Sequence, residues 1–479
     1  MTSRVGRTTV VYFLTQVGTT VSGFLATWFI NVRLGPSAFG EYSVALAALF
    51  WLNIPANAIG NALNKRLSEG RDQAAFMAAG HAMNLAVHVV IVAAILLFQR
   101  QVNVFLGVEV AQYFALLVGA RAVFDVTLSS LRGHKQVGTS GIINTFEQVV
   151  RSTLHIGALF FLGVGVAGLL AGYVTALLVA AAAGFLLLDG SVGRPEAQHV
   201  EKLVAFAKFA WLGALKNKAF SWTDLLVMRG LSLSVVGLAA VTKAQLGIYS
   251  VAWTLASALA LFSISINKTM FPELSELSTD GNYDRVHHFL NEGLAFTGML
   301  LVPGVFGAYV VGDTLLTVFG PEYAIGRRIL VILVGARLFA AFGEYLINAI
   351  NAIDHPEIAF RVSLAYIGLN VVLNVFLVAV FGWYGAAIAT ALASLCSILL
   401  AGYGLTTLIG RPDVPVGELS KQLVAALLMF GVVLALDGAL PETLPWVLAI
   451  VGVGAAFYGA VLVTLSPRVR GKALSLTGR

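Results

Sequence analysis

The feature that most constrains this chain is an apolar run at 9–30, which follows Arg4 and Arg7 and recurs in kind down to the C-terminus. About 20 apolar residues in helical form cross the hydrocarbon core of a bilayer. In hydrocarbon a helix is the one open-chain form that satisfies its own backbone. The first run is too long for a signal-peptide core and lacks a small-x-small cleavage site, so it reads as a retained span. Similar segments follow at 41–63, 75–98, 110–131, 140–162 and 165–188, and, after a polar break, at 205–229, 245–271, 288–311, 327–352, 358–380 and 384–408. Two more lie at 419–439 and 443–465, giving an expected all-α membrane protein of about fourteen transmembrane helices. With 58% hydrophobic and 11% charged residues, the chain carries far fewer charges than the roughly 25% of soluble domains. A soluble fold could not bury so much apolar surface.

The chain echoes itself. Gly40-Glu41-Tyr42-Ser43-Val44-Ala45 returns 207 positions later as Gly247-Ile248-Tyr249-Ser250-Val251-Ala252. Val166-Ala167-Gly168-Leu169 likewise corresponds to Trp383-Tyr384-Gly385-Ala386. The echoes predict two six-helix bundles, 1–190 and 203–410, followed by 416–479 with two extra helices and a basic tail. Six is an even number, so the halves share one orientation and are expected to relate by a pseudo-twofold along the membrane normal.

Charge in the loops orients the chain. With the N-terminus inside, the inner connections hold Lys65, Arg66, Arg71, Arg132, Lys135, Arg411 and Lys421, among others, and the tail adds Arg468, Arg470 and Lys472. The outer connections hold Arg33, Arg100, Arg229, Lys243, Arg327 and Arg328. The bias is about threefold in the direction of the positive-inside rule, so both termini are expected in the cytoplasm. Net charge +6 is therefore a matter of membrane orientation, with no nucleic-acid partner implied. The single cysteine, Cys396, allows neither a disulfide framework nor a thiolate cluster.

Ionisable residues inside spans mark pairing or function. Arg121 and Asp125, and again Glu147 and Arg151, stand at i,i+4 and can neutralise each other on one helix face. Arg337 and Glu344, seven apart, also share a face. These pairs fit either a self-satisfied structural role or the lining of a substrate path. Polar stripes add Gln16 and Thr19 in the first span and Asn53 and Asn57, beside Pro55, in the second. In the seventh they add Lys216, Asn217, Lys218, Ser221 and Asp224. Amide-lined faces must meet protein or water rather than lipid, so helix–helix hydrogen bonding and a hydrated cavity both account for them. Lys216 and Lys218 flank the stripe of Asn217, Ser221 and Asp224 and cannot point the same way. No histidine spacing suits a metal, and no Walker loop, His-Glu-x-x-His, Gly-x-Ser-x-Gly or Asp-x-Asp is present. Neither metal, nor cofactor, nor ATP hydrolysis is expected.

Five motifs in order then point to a family: Leu34-Gly35-Pro36 with Phe39-Gly40-x-Tyr42, Leu246-Gly247-x-Tyr249-Ser250, Pro272-Glu273-Leu274-Ser275, Phe319-Gly320-Pro321-Glu322-Tyr323 and Gly382-x-x-Gly385-Ala386-Ala387. Over nearly the whole chain they resemble the polysaccharide-exporter flippases of the multidrug/oligosaccharidyl-lipid/polysaccharide exporter superfamily. The resemblance implies alternating access by a non-enzymatic flippase in the cell membrane. Its implied substrate is a polyprenyl-phosphate-linked oligosaccharide destined for cell-surface polysaccharide or glycoprotein glycans. The expected partners are that substrate and membrane lipids, and the expected state is a monomer. The chain departs from the related lipid II flippases in having no arginine in the apolar part of its first two spans, so their arginine cluster cannot be carried over. Two alternatives compete: a cation-coupled multidrug exporter of the same superfamily, and a membrane glycosyltransferase. The exporter would favour acidic and aromatic residues around its substrate, whereas the mid-chain buried charges here lean basic. The glycosyltransferase would need a catalytic carboxylate on a sizeable outer loop.

Overall fold

A computed structural model of the protein describes residues 2–233, 241–279, 283–441 and 443–476; within its helices, the side chains of 2–21, 162, 209–221 and 473–476 lie outside the described residues. Every regular element among the described residues is helical. The contacts divide the chain into two units, Met1–Leu233 with Thr242–Gly247, and Ser234–Val241 with Ile248–Arg479.

The first unit holds α1 (Thr2–Leu52), α2 (Ile54–Ser68), α3 (Gln73–Leu97), α4 (Gln99–Leu106), α5 (Ala111–Gly133), α6 (Val137–Gly157), α7 (Val166–Leu186) and α8 (Ala197–Leu233). It also takes the first turn of α9 (Lys243–Leu259). Helix α1 is two helices joined at Gly35, whose φ of 73° leaves the helical region just before Pro36. The next break falls at Asn53. There α2 starts with Pro55 in its first turn, where a missing N–H costs nothing, and the path bends by 45°. Central in this unit is α5, with 78% of its apolar window buried, against 22% for α3. Ala62, Leu63, Phe76, Met77, Val126 and Leu203 form one apolar core across α2, α3, α5 and α8. The buried Leu203 packs α8 against the helices that precede it.

The second unit continues with α10 (Leu261–Thr279), α11 (Tyr283–Thr297), α12 (Leu301–Thr317), α13 (Arg327–Ala352), α14 (Pro356–Phe381) and α15 (Trp383–Ile409). It ends with α16 (Val416–Ala439), α17 (Leu444–Leu465) and α18 (Pro467–Leu476). One core joins α10, α11, α13, α14 and α15 around Leu290, Tyr345 and Leu405. A second packs α16, α17 and α18 against α11 and α12 through Phe296, Met429, Tyr458 and Val469. Helices α16, α17 and α18 thus share a core with this unit.

Among the described residues, nine helices are long and apolar enough to cross a membrane, or eleven when each of two 45° bent pairs counts as one span. The expectation of about fourteen is not reached at three places. Helix α6 spends its 21 residues on Asn144, Glu147, Gln148, Arg151 and His155 among others. The expected first and seventh spans run through 2–21 and 209–221, whose side chains lie outside the described residues. Large apolar side chains such as Leu97 (77% exposed), Phe161 (80%) and Leu186 (84%) point outward, as lipid-facing surfaces require.

Candidate functional site

The polar side chains of the first unit converge at the centre of its helix bundle. One turn of α5 brings Arg121 onto Asp125 in a two-pronged contact, Nε to Oδ2 at 3.0 Å and Nη2 to Oδ1 at 2.9 Å. Bidentate arginine–carboxylate pairs are among the stronger charge-assisted contacts. Asn53, at the α1–α2 break, donates its Nδ2 to the same Oδ2 of Asp125. Asn57 donates to the Asn53 carbonyl at 2.9 Å, holding the bend. The Arg121 guanidinium lies over the rings of Phe50 (5.6 Å) and Phe124 (5.7 Å), and Phe50 stacks at 4.9 Å on Trp222 of α8.

The second pair sits on α6. Arg151 Nε lies 2.9 Å from Glu147 Oε1, an ion pair without hydrogen-bond geometry. Arg151 also donates Nη2 to Gln148 Oε1. Ser152 of the same helix donates to the Ser22 carbonyl of α1 at 3.2 Å. Both pairs meet on Tyr173 of α7. Arg121 Nη1 donates to its hydroxyl at 3.1 Å, while the Arg151 guanidinium stacks 4.3 Å above its ring. Beside them His155 packs edge-on to Tyr42, with centroids 5.8 Å apart, and its Nε2 lies 2.9 Å from the Leu169 carbonyl. Glu147, Tyr173 and His155 are each at most 3% exposed. The outcome is a charge-balanced network of two arginines and two carboxylates, spread over five helices inside an apolar bundle.

The second unit carries its own polar interior. Arg337 is buried on α13 and stacks 5.7 Å from the Trp253 ring. Glu344, two turns further along the same face of α13, is half-buried, and Tyr345 donates to the Phe289 carbonyl at 3.1 Å. On α14, Asn370 and Asn374 are fully buried. Asn370 donates to Thr390 Oγ1 of α15 at 3.3 Å, and Asn374 to the Asn370 carbonyl at 3.0 Å.

Of the residues singled out in the sequence, Arg121, Asp125, Glu147, Arg151 and Asn53 lie in one network, and Asn57 hangs from its edge. Asp224 is buried on α8, two residues from the Trp222 that stacks on this network. The side chains of Gln16, Thr19, Lys216, Asn217, Lys218 and Ser221 lie outside the described residues. Sequence spacing missed Tyr173, the group that joins the two pairs, since a lone tyrosine in an apolar run carries no signal of its own. It also passed over Asn370 and Asn374, although their i,i+4 spacing is the same signal that picked out Asn53 and Asn57.

The family model of the lipid II flippase MurJ matches residues 113–447. The probable flippase AglR of Haloferax volcanii is 29% identical over 98% of this chain and 97% of its own length. The probable low-salt glycan biosynthesis flippase Agl15 of the same organism is 25% identical over 89% of this chain and 88% of its own. In fold, the chain is similar to lipid II flippase MurJ in an inward closed conformation, with TM-score 0.80 at 14% identity over 94% of this chain and 98% of that one. An inward-facing multidrug resistance MATE family transporter follows at TM-score 0.67 and 13% identity, covering 81% and 95%. These two likenesses speak to fold alone.

Proposed function

The chain belongs to the lipid II flippase MurJ family, and we propose that it is a flippase that moves lipid-linked oligosaccharide across the cytoplasmic membrane. The observation that carries this reading is end-to-end similarity to proteins named as flippases, one of them for glycan biosynthesis. The physical task fits the chain. A sugar headgroup must stay solvated while its lipid tail stays in the bilayer, so the path needs hydrogen-bonding side chains within a helical bundle and a cation for the phosphate. Amides on the second span, the network around Arg121 and Arg151, and the basic seventh span supply these groups. The two units work by alternating access, the carrier is a polyprenyl phosphate, and the protein acts as a monomer.

Within this reading Gln16, Thr19, Asn53, Asn57, Asn217, Ser221 and Asp224 line the sugar's path, and Lys216 or Lys218 holds the phosphate. A lysine kept charged in apolar surroundings needs a carboxylate, water or a ligand nearby, and Asp224 is the near carboxylate on the same helix. Each lysine is to be replaced by Ala and by Arg at matched protein level, with lipid-linked oligosaccharide followed on the cytoplasmic leaflet. The expected result is accumulation in one Ala variant and its relief by Arg at the same position. Normal export by both Ala variants removes the phosphate anchor from this helix.

The orientation of the chain is tested separately. Both termini and the connections at 64–74, 132–139 and 409–418 are cytoplasmic by their lysines and arginines. In a Cys396→Ser background, Val104→Cys should react with an impermeant thiol reagent in intact cells. Labelling only after permeabilisation reverses the topology.

A further inference from the structure

The first unit carries a second polar surface, away from the network on Tyr173. Helix α4 follows α3 after a break at Phe98 (φ −101°, ψ 28°) and stops at Gly107, whose φ of 86° is a glycine conformation. Its two faces have opposite characters. Val102, Phe105 and Leu106 border a groove of about 630 Å³ with Trp51 of α1, Ile95 of α3 and Leu226 of α8, and nearly all of that surface is apolar. Gln99, Arg100 and Asn103 border a cleft of about 900 Å³ with Glu109, Arg229 and Lys243. Both volumes lie in the range of ligand pockets, about 300–1,000 Å³, and one thin helix forms a wall of each.

The cations of the cleft are held from behind. Arg229 is buried (8% exposed) and donates Nε to the Phe105 carbonyl at 2.6 Å and Nη2 to the Val104 carbonyl at 2.7 Å, satisfying the open C-terminal end of α4. Its Nη1 has no hydrogen-bond partner among the described residues. Lys243 donates to Glu41 Oε1 at 2.6 Å and to the Gly107 carbonyl at 2.5 Å, which leaves one of its three protons. Arg100 is exposed and forms no ion pair among the described residues. Gly107 keeps this arrangement open: a Cβ there would stand 2.9 Å from Lys243 Cε and 3.1 Å from Arg229 Nη2. Three cations therefore ring a cleft lined by one carboxylate, Glu109, while Glu41 is committed to Lys243.

We propose that α4 divides the two halves of one lipid site: the phosphate of a membrane lipid sits in the cleft among Arg100, Arg229 and Lys243, and its hydrocarbon tail lies in the groove beneath α4. Fixed guanidinium groups and an ammonium suit phosphate oxygens, and the cationic rim rejects cationic amphiphiles. A groove with almost no polar lining accepts hydrocarbon and nothing that must be hydrated. The step from cleft to groove is about the width of a helix, 10 Å, a distance a phosphate and the first part of its tail can span. This site is separate from the proposed transport path and stands whether or not the chain is a flippase.

The test is native mass spectrometry of the full chain in non-ionic detergent, titrated with dioleoyl phosphatidic acid or with dioleoylglycerol, which has the same tails and no phosphate. Phosphatidic acid is expected to bind at one site about tenfold more tightly than dioleoylglycerol. Arg100→Glu, at an exposed position, should remove most of that preference, and Ala94→Trp, which fills the groove, should weaken both lipids. Lys65→Glu, a charge reversal elsewhere on the same unit, should change nothing. Inorganic phosphate in excess should not displace the bound lipid. Equal binding of the two lipids overturns the proposal. So does an effect of Lys65→Glu equal to that of Arg100→Glu, insensitivity to Ala94→Trp, or displacement by phosphate alone, which would mark a free-anion site.

Discussion

Arg121→Ala should cost this protein about 3 kcal/mol of stability, the low end of the range for breaking a buried ion pair from one side, because the two side chains keep 20% and 12% of their surface exposed. The loss is large because the arginine is the hub of the first unit's interior. It holds Asp125 through two contacts at 2.9 and 3.0 Å and the Tyr173 hydroxyl through a third. Its removal leaves the Asp125 carboxylate in an apolar bundle with Asn53 as its remaining neutral donor. Asp125→Ala should be comparably damaging, since it strands the guanidinium. The double replacement by leucine should recover much of the loss, because a buried pair replaced by well-packed apolar groups is often near neutral. Tyr173→Phe should cost less, about 1.5–3 kcal/mol, as it removes one hydrogen bond to a charged group and keeps the ring under Arg151. Melting of the purified variants in detergent orders them. Should the single Arg121→Ala variant melt with the wild type, the network is not what holds α1, α5 and α7 together.

The second large effect is expected at the two repeat glycines. A Cβ on Gly40 would stand 2.1 Å from the Lys243 carbonyl and 2.9 Å from the Gly247 amide nitrogen. A Cβ on Gly247 would stand 2.0 Å from the Pro36 carbonyl and 3.0 Å from the Gly40 nitrogen. Each contact is with backbone, so no rotamer change relieves it. The α1 helix after Gly35 and the first turn of α9 touch main chain to main chain here, the close approach that small residues permit between membrane helices. Beside this contact Lys243 reaches Glu41, which fastens the same two segments. Gly40→Ala and Gly247→Ala should each exceed the usual 1–3 kcal/mol of overpacking, with loss of monodisperse protein on size-exclusion chromatography. Gly141→Ala, where nothing lies within 4 Å, is the control and should behave as wild type. A well-folded Gly247→Ala protein would show that the helices can separate at little expense.

The repeated motif was plain in the sequence, but its reason was not. Read as periodicity, Gly40 and Gly247 mark duplicated helix starts. Folded, they are the two sides of one contact, and a side chain on either would force the helices apart. The same division runs through the network. Pairs at i,i+4 were legible because neighbours on one helix face are set by the 3.6-residue turn alone. The link from Arg121 to Tyr173 spans 52 positions and that from Asn53 to Asp125 spans 72. No spacing rule reaches across such separations.

By itself, then, the sequence determined that the chain lives in a membrane and that it is built of helices. Both follow from local causes: apolar runs of about 20 residues match the hydrocarbon core, and unsatisfied backbone is costly there. Tertiary structure alone decided that α8 packs with α2, α3 and α5, that two charge pairs share one tyrosine, and that Gly40 lies against Gly247. In lipid, apolar side chains gain little by choosing one apolar neighbour over another, so which helices meet is settled by close packing and by the few polar groups needing partners. Those groups sit far apart along the chain and become neighbours only when the whole bundle has formed.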